Sequence, residues 1–394
     1  MDWLFNQFPA FQKIGNTAFK PTLDNTRKLV SVLNVPIEKM KFIHIAGTNG
    51  KGTTCSIIAS TLTESGKKVG LFTSPHIKDF RERIRINGEM ISEEEVVNYI
   101  SKFQELKFTI SPSFFEMSWV MALSYFYQKK CDIIVVETGL GGRLDATNII
   151  HPILTIITNI GLDHTAILGD TREQIANEKA GIIKAKIPII IGESDKELDQ
   201  IFRNKAKKEK APISFISKET DSTVFEHNKQ VAFTAIDDFL LKDTPKLIRN
   251  NFKKRAIDNL WKNSGWIVRK QIYSINPLII LDVAHNQMGV ERLIHDIQME
   301  YPTKQIRALY GASNDKNILK IIQLFPKGWI YYISEFKNKR STTIEEFKQI
   351  EHLNQLNISY FNDVKKAFQI AKESTLEDEL LLVFGSFYLL EEII

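Results

Sequence analysis

Four segments of the 394-residue chain carry side chains whose types and spacing suit chemistry on phosphate. The first is HIAGTNGKGTT, which places Gly47, Thr48, Asn49, Gly50, Lys51, Gly52, Thr53 and Thr54 between an apolar run and a helical pattern. Glycines let successive backbone N–H groups converge on one anion, a helix N-terminus adds partial positive charge, and a lysine reaches the outer phosphates of a nucleotide. The spacing departs from G-x-x-x-x-G-K-[ST]: the first glycine lies two places nearer the lysine and Gly52 stands where the hydroxyl would be, so Thr53 becomes the expected metal-side hydroxyl. Taken alone, the segment could also be a tight turn with a solvated lysine. The second segment runs Thr73-Ser74-Pro75-His76 into DFRERIRING and puts a hydroxyl, an imidazole and arginines, Arg83 among them, behind a strand. The third is DIIVVE ending in Glu137, followed by TGLGGRLDATN with Arg143 and Asp145. A carboxylate at a strand end beside a phosphate loop is where Mg²⁺ is held, because a hard cation takes oxygen ligands alongside phosphate oxygens. The fourth is LTIITNI running into Gly161-Leu162-Asp163-His164. Any one of these residues could be a helix cap or a turn residue, but four sets on successive strand ends point to a ligand crevice.

The elements that must position these groups are legible in the hydrophobic pattern. FIHIA, KVGLFTS, DIIVVETG, PILTIITNI and IPIIIGE are apolar runs separated by helical stretches, the pattern of strands buried on both faces in a doubly wound, mostly parallel α/β sheet. Gly66 reads as the C′ residue of the first helix, and Gly181 as the end of the helix begun at Thr171. Residues 195–262 are lysine-rich with few apolar runs, and read as a shortened, irregular boundary region. Strand patterns resume with LIILDVAHN, IRALYGAS, GWIYYISE and ELLLVFGSFYLL. Two domains are therefore expected, 1–262 and a smaller α/β domain over 263–394, within the prior of roughly 100–200 residues per domain.

Composition narrows the partners. Lys and Arg exceed Asp and Glu by only five, spread along the chain, which gives no footprint for nucleic acid and suits an anionic small molecule equally well. Cys55 and Cys131 form no metal-ligand pattern, as expected of core thiols in a reducing compartment. Residues 1–20 lack the basic start, apolar run and cleavage site of a secretory signal, and no apolar run reaches the roughly 18 residues of a membrane span, so a cytoplasmic protein without membrane contact is expected.

HIAGTNGKGTT, GLFTSPHIKDFRERIRING, VVETGLGGRLDATN, ITNIGLDHTAILGDTREQIANEKAGIIK, WIVRKQIYSINPLIILDVAHN, GASNDKN and FGSFYLL together resemble the folylpolyglutamate synthase and dihydrofolate synthase family of the Mur-ligase superfamily, in family order over most of the chain. The resemblance implies a P-loop-containing Mur-ligase central domain followed by a Rossmann-like C-terminal domain. It also implies ATP-dependent amide ligation: a dihydropteroate or reduced-folate carboxylate takes the γ-phosphate, and the amine of L-glutamate captures the acyl phosphate. On this pattern Lys51 neutralises migrating phosphate charge, and Ser74, Glu137 and His164 match magnesium-binding positions. Lys179 matches a lysine carried as a carbamate, which would make it a ligand for a second Mg²⁺. Arg269, Asp282, His285 and Asn286 match second-domain residues that meet ATP. Pro75, His76, Arg83, Arg143 and Asp145 are the implied substrate contacts, with Lys20 and Thr26 as weaker ones. ATP and two Mg²⁺ ions are the implied cofactors, K⁺ an optional further cation, and a monomer the implied state. The GGRLDATN run is similar to that of enzymes that also make dihydrofolate.

Two features depart from the family pattern. No Gln-x-x-Asn match borders the expected nucleotide site between VAFTAIDDF and WIVR, and the arginine motif reads Val268-Arg269-Lys270-Gln271. The first motivates a competing class, a nucleotide-binding scaffold with little catalysis. A GTPase or kinase is disfavoured by the short glycine loop and the absence of N-K-x-D, and a cell-wall ligase by TSPHIKDFRERIRING.

Overall fold

The computed structural model describes residues 22–105, 110–217, 222–350, 353 and 355–394; Lys20 lies outside them. The chain forms two compact units, Met1–Trp266 and Ile267–Ile394.

In the first unit the apolar runs become β1 (Phe42–Ala46), β2 (Val69–Phe72), β5 (Ile133–Glu137), β6 (Leu154–Ile157), β7 (Ile189–Ile191) and β8 (Ile213–Phe215). A hairpin of β3 (Ile84–Ile86) and β4 (Glu89–Met90) completes an eight-stranded sheet in the order β4-β3-β2-β5-β1-β6-β7-β8. β2, β5, β1, β6, β7 and β8 run parallel, so their carboxyl ends share one edge. Those ends carry Ser74, Glu137, the glycine loop and the segment to His164, which is how residues far apart in sequence come to one side of the sheet.

Alternate residues of β1 serve opposite layers. Phe42 packs with Trp119 of the Phe114–Gln128 helix, whereas Ile43 and Ile45 pack with Cys55, Ile58 and Leu62 of the Lys51–Glu64 helix. That second helix lacks an amphipathic pattern because it is covered twice, by the sheet and by helices Val224–Ala235, Lys246–Asp258 and Leu260–Ser264. Residues 195–262 are thus not an irregular boundary. Their lysines occupy solvated faces while Val231, Ala232, Ala235 and Ile236 are fully buried at helical spacing, a short stripe that the lysine-rich composition conceals. Gly66 stands two residues past Glu64, just beyond the cap residue Ser65, at φ 87°, and Gly181 follows Ala180 as the residue that closes Arg172–Ala180, both as expected. Cys55 is buried and Cys131 half-buried, without a disulfide.

The second unit holds a six-stranded sheet, β13-β12-β11-β14-β10-β9, built from β9 (Gln271–Ile275), β10 (Leu278–Leu281), β11 (Ile306–Tyr310), β12 (Ile330–Ser334), β13 (Asn357–Phe361) and β14 (Leu380–Phe384). All are parallel except edge strand β9. The switch in strand direction of travel falls between β11 and β14, where a doubly wound sheet opens a crevice.

Trp119 is fully buried, its ring 4.9 Å from Phe72 and 6.4 Å from Phe42, but its indole N–H has no partner among the described residues. Trp119→Ala is expected to lower first-unit stability by about 3–5 kcal/mol through the cavity it leaves. Trp119→Phe removes the unpaired donor as well as volume and is expected to cost under about 1.5 kcal/mol. Chemical denaturation of the two variants measures both.

Candidate active site

The glycine loop is gripped from two sides. Gly47 has φ 153°, and a Cβ there would lie 1.8 Å from Thr158 Oγ1; Gly50 has φ 79°, and its Cβ would lie 2.3 Å from Asn228 Oδ1. Side chains are excluded at both positions, and at Gly50 the left-handed backbone adds its own demand for glycine. The residues after β6 hold the loop by hydrogen bonds. Thr48 N–H donates to Asn159 O (3.0 Å), Asn49 N–H to Asn159 Oδ1 (2.9 Å) and Thr158 Oγ1 to Asn49 O (2.6 Å), while Thr48 Oγ1 bridges both backbone groups of Gly161. No side chain caps the start of the Lys51–Glu64 helix, so its first N–H groups keep the geometry that favours an anion. Thr54 is fully buried, and Thr53 accepts from Trp266 Nε1 at 3.4 Å.

Two lysines converge on one carbonyl. Lys51 Nζ donates to Gly47 O at 3.0 Å and to Thr48 O at 3.2 Å, and Lys179 Nζ donates to Gly47 O at 2.9 Å. Lys179 sits in the last turn of Arg172–Ala180, and burial, then the nearby Lys51 charge, push its ammonium down to about 7.

Glu137 ends β5 buried and accepts from the Ser74 backbone N–H at 3.1 Å, which brings these two expected metal positions together. His164 adopts φ 51° at the start of Thr165–Leu168, with its N–H on Asp163 Oδ1 at 2.8 Å. Among the described residues no three His, Cys, Asp or Glu side chains gather into a metal cluster. The donors that are present, one buried carboxylate with a neighbouring serine, fit Mg²⁺, which is bound through one or two carboxylates and completes its shell from substrate phosphates and water.

Beside Ser74, Pro75 follows a cis peptide bond, and His76 Nδ1 accepts from Arg83 Nε at 2.7 Å. Burial, then the Arg83 charge, hold His76 down to about 3, so the ring stays neutral. Arg83 is buried with its guanidinium 5.4 Å from the Phe114 ring. Arg143 is exposed and paired to Glu178.

Two of the expected contact residues also cap helical turns. Asp145 is 3% exposed, and its carboxylate accepts from Leu140 N–H (2.7 Å) and from both the N–H and the hydroxyl of Thr147. Its place at the start of the Ala146–Ile149 turn makes it a cap, the common fate of Asp before a helical turn. Asn286 likewise caps Gln287–Glu300 by accepting from Gly289 N–H at 2.9 Å. In the second unit Asp282 takes N–H groups of Lys270 and Ala284, each at 2.7 Å, and burial raises its carboxyl to about 6. His285 Nδ1 lies 2.8 Å from Val283 O, and Arg269 stands between Val268 and Lys270, both at positive φ.

Sequence reasoning missed two sets. Asn228 and His227, buried on the Val224–Ala235 helix, lie just before the stretch where a Gln-x-x-Asn match was sought, and Asn228 faces the loop glycine. Between VAFTAIDDF and WIVR the chain is helical over Lys246–Asp258 and Leu260–Ser264, both packed on the Lys51–Glu64 helix. The second set lies at the β11/β14 switch. There Ser313 and Ser386 approach at 3.4 Å, and Arg340 bonds Asp315 (2.8 Å) and Tyr388 Oη (3.2 Å), with Lys316 Nζ 3.9 Å from Asp315. Its signal was present in the GASNDKN and FGSF segments, as polar residues after apolar strands.

The chain matches the family models of the Mur ligase middle domain over residues 45–247 and of the Mur ligase glutamate ligase domain over 268–387. It is 35% identical to the dihydrofolate synthase/folylpolyglutamate synthase of Buchnera aphidicola subsp. Schizaphis graminum, covering 93% of this chain and 89% of that protein. It is 32% identical to the protein of the same name from Bacillus subtilis, covering 95% and 94%. Among solved structures, Escherichia coli FolC in complex with DHPP and ADP superposes with a TM-score of 0.85 at 28% identity, covering 100% of this chain and 96% of that one. The bifunctional folylpolyglutamate synthase/dihydrofolate synthase of Yersinia pestis, complexed with AMPPNP and a manganese ion, gives 0.82 at 27% identity, covering 96% and 94%. No helix among the described residues is long and apolar enough to cross a membrane. A glycine loop held between β6 and a buried amide, with a buried lysine on its first carbonyl, is thus carried by a chain that belongs to the Mur-ligase superfamily, in its dihydrofolate synthase/folylpolyglutamate synthase family of ATP-dependent glutamate ligases.

Proposed function

We propose that this chain joins L-glutamate to dihydropteroate and to reduced folates, acting as a cytoplasmic monomer on both acceptors. The acceptor carboxylate oxygen attacks the γ-phosphorus of ATP, ADP leaves, the glutamate nitrogen attacks the acyl carbon, and phosphate departs with the C–O bond. The observation that carries this reading is the convergence of Lys51 and the buried Lys179 on the Gly47 carbonyl. Lys51 is within reach of the loop's anion-binding face and supplies positive charge as the phosphoryl group migrates, in a reaction where positioning and electrostatics do most of the catalysis. The N–H groups of residues 47–54 cradle the phosphates, with Asn228 beside Gly50 on the nucleotide side.

Ser74, Glu137, His164 and Lys179 as its carbamate would hold Mg²⁺, which when bound neutralises phosphate charge. Carbon dioxide adds only to a neutral amine, and burial, then the Lys51 charge, bring Lys179 down to about 7, so that a large share of the amine is neutral near that pH. Pro75, His76 and Arg83 are proposed on the acceptor side, where a neutral His76 fixes the buried guanidinium.

In the second unit the strand-end cluster is proposed to take L-glutamate. Lys316 and Arg340 against Asp315 present two cations and one carboxylate, the inverse of glutamate's two carboxylates and one ammonium.

ADP release is expected only when ATP, Mg²⁺, L-glutamate and an acceptor are all present, with dihydropteroate and tetrahydrofolate both serving; release with one acceptor alone would restrict the activity to that one. Lys51→Ala is expected to lower turnover at least about a hundredfold with its circular dichroism spectrum and unfolding midpoint retained. Arg340→Ala should raise the KM for glutamate roughly tenfold or more while the KM for ATP stays put. Lys179 has a folded pKa depressed from 10.5 to about 7, so between those values the unfolded state binds the extra proton and stability rises with pH. In carbon dioxide-free buffer Lys179→Met should therefore be more stable than the parent near pH 7, the difference shrinking toward pH 10.5, as followed by denaturant unfolding across that range.

A further inference from the structure

At the centre of β1, His44 is fully buried, and its Nε2 lies 2.8 Å from Thr147 Oγ1. Its Nδ1 has no hydrogen-bond partner among the described residues. An unpaired ring nitrogen in an apolar interior costs free energy that a leucine or phenylalanine would avoid, so the bond to Thr147 has to be the reason for a histidine here.

The direction of that bond follows from its neighbours. Asp145 Oδ1 accepts the Thr147 N–H (3.0 Å) and the Thr147 hydroxyl, and Oδ2 accepts the Leu140 N–H (2.7 Å), so every contact delivers a proton to an accepting carboxylate. The Thr147 hydroxyl proton is spent on Asp145, and only its lone pair is left for the imidazole. His44 is therefore the Nε2–H tautomer, with donors aligned head to tail from His44 through Thr147 to Asp145. Burial, then the Lys184 charge, push its imidazolium down to about 3, which keeps the ring in this neutral form.

Asp145 is the residue on which loop 139–148 folds. It ties Leu140 to Thr147 across the turn, while Asn148 Nδ2 bonds Arg143 O and Gly181 O, each at 3.1 Å. β1, which bears His44, is also the strand that delivers the glycine loop. We propose that His44 is a positioning residue: acting through Thr147, it orients the Asp145 carboxylate and thereby sets the acceptor-side loop 139–148 relative to the nucleotide loop. The claim rests on the proposed ligase function and on the family resemblance of GGRLDATN, which puts Arg143 and Asp145 of loop 139–148 on the acceptor side, and its test separates the two.

The first arm needs no substrate. His44→Leu keeps bulk and loses the donor, so amide hydrogen exchange at Leu140 and Thr147 should quicken roughly tenfold, with residues 47–54 unchanged. His44→Gln, which retains an N–H₂ near the Nε2 position, should restore protection. The second arm is kinetic: His44→Leu should raise the KM for the acceptor several-fold and leave the KM for ATP alone, and Thr147→Val should do the same. The double variant should be no worse than Thr147→Val, because the two changes break one chain of bonds. Unchanged exchange in His44→Leu, equal losses in His44→Leu and His44→Gln, or additive losses in the double variant overturn the relay. Faster exchange with an unaltered acceptor KM overturns the positioning role. Should His44→Leu fail to fold, Thr147→Val and His44→Gln carry the same comparison. A parent chain without turnover counts against the ligase reading, and the exchange arm still decides the relay.

Discussion

The carbonyl oxygen of Gly47 receives two ammonium groups, and most of the site follows from that crowding. Two positive charges a few ångströms apart in a partly dry pocket repel strongly enough to shift a proton equilibrium. The buried lysine yields, and its lost hydration weighs more than the Lys51 charge: Lys179 is held down to about 7, while Lys51 is half exposed. The same carbonyl can be shared only because Gly47 has no side chain: Thr158 occupies the space a Cβ would fill. Backbone, cation and nucleophilic amine are thus consequences of one close approach.

Most of the first unit's architecture was legible because buried parallel strands write themselves as uninterrupted β-branched runs, and FIHIA, DIIVVE and LTIITNI each became a strand. The placement of Lys51, Ser74, Glu137 and His164 near one sheet edge was legible for the same reason, since they follow strand ends, whereas Lys179, in the last turn of a helix, was legible only through the family resemblance. What spacing left unread has physical causes too. Asp145 and Asn286 carry side chains suited equally to ligand contact and to capping, and spacing alone does not distinguish an amide or carboxylate spent on backbone N–H groups from one left for a ligand. The Val224–Ala235 helix was concealed because its buried stripe is short and its surroundings are lysine-rich.

The edge strands were missed for a further reason. β8, β9 and β13 are only partly buried, so their sequences lack the continuous apolar signature of the central strands. The polar cluster at the β11/β14 switch was visible as motif letters, but its meaning depends on topology: Ser313 and Ser386 are 73 residues apart and meet only because β14 inserts beside β11.

That kind of long-range pairing sets the order in which the nucleotide loop can mature. β1 lies between β5 and β6, with Phe42 opposite Ile134 and Ile43 opposite Leu154, so neither neighbour exists when β1 leaves the ribosome. Thr158 and Asn159, which grip the loop, are made later still, and at ~5–20 residues per second on the order of ten seconds separate Gly47 from its partners. During that interval an apolar central strand has no sheet to join, and the glycine loop is a flexible stretch with no fixed anion geometry. The glycine loop therefore takes its shape well after its own residues have been made.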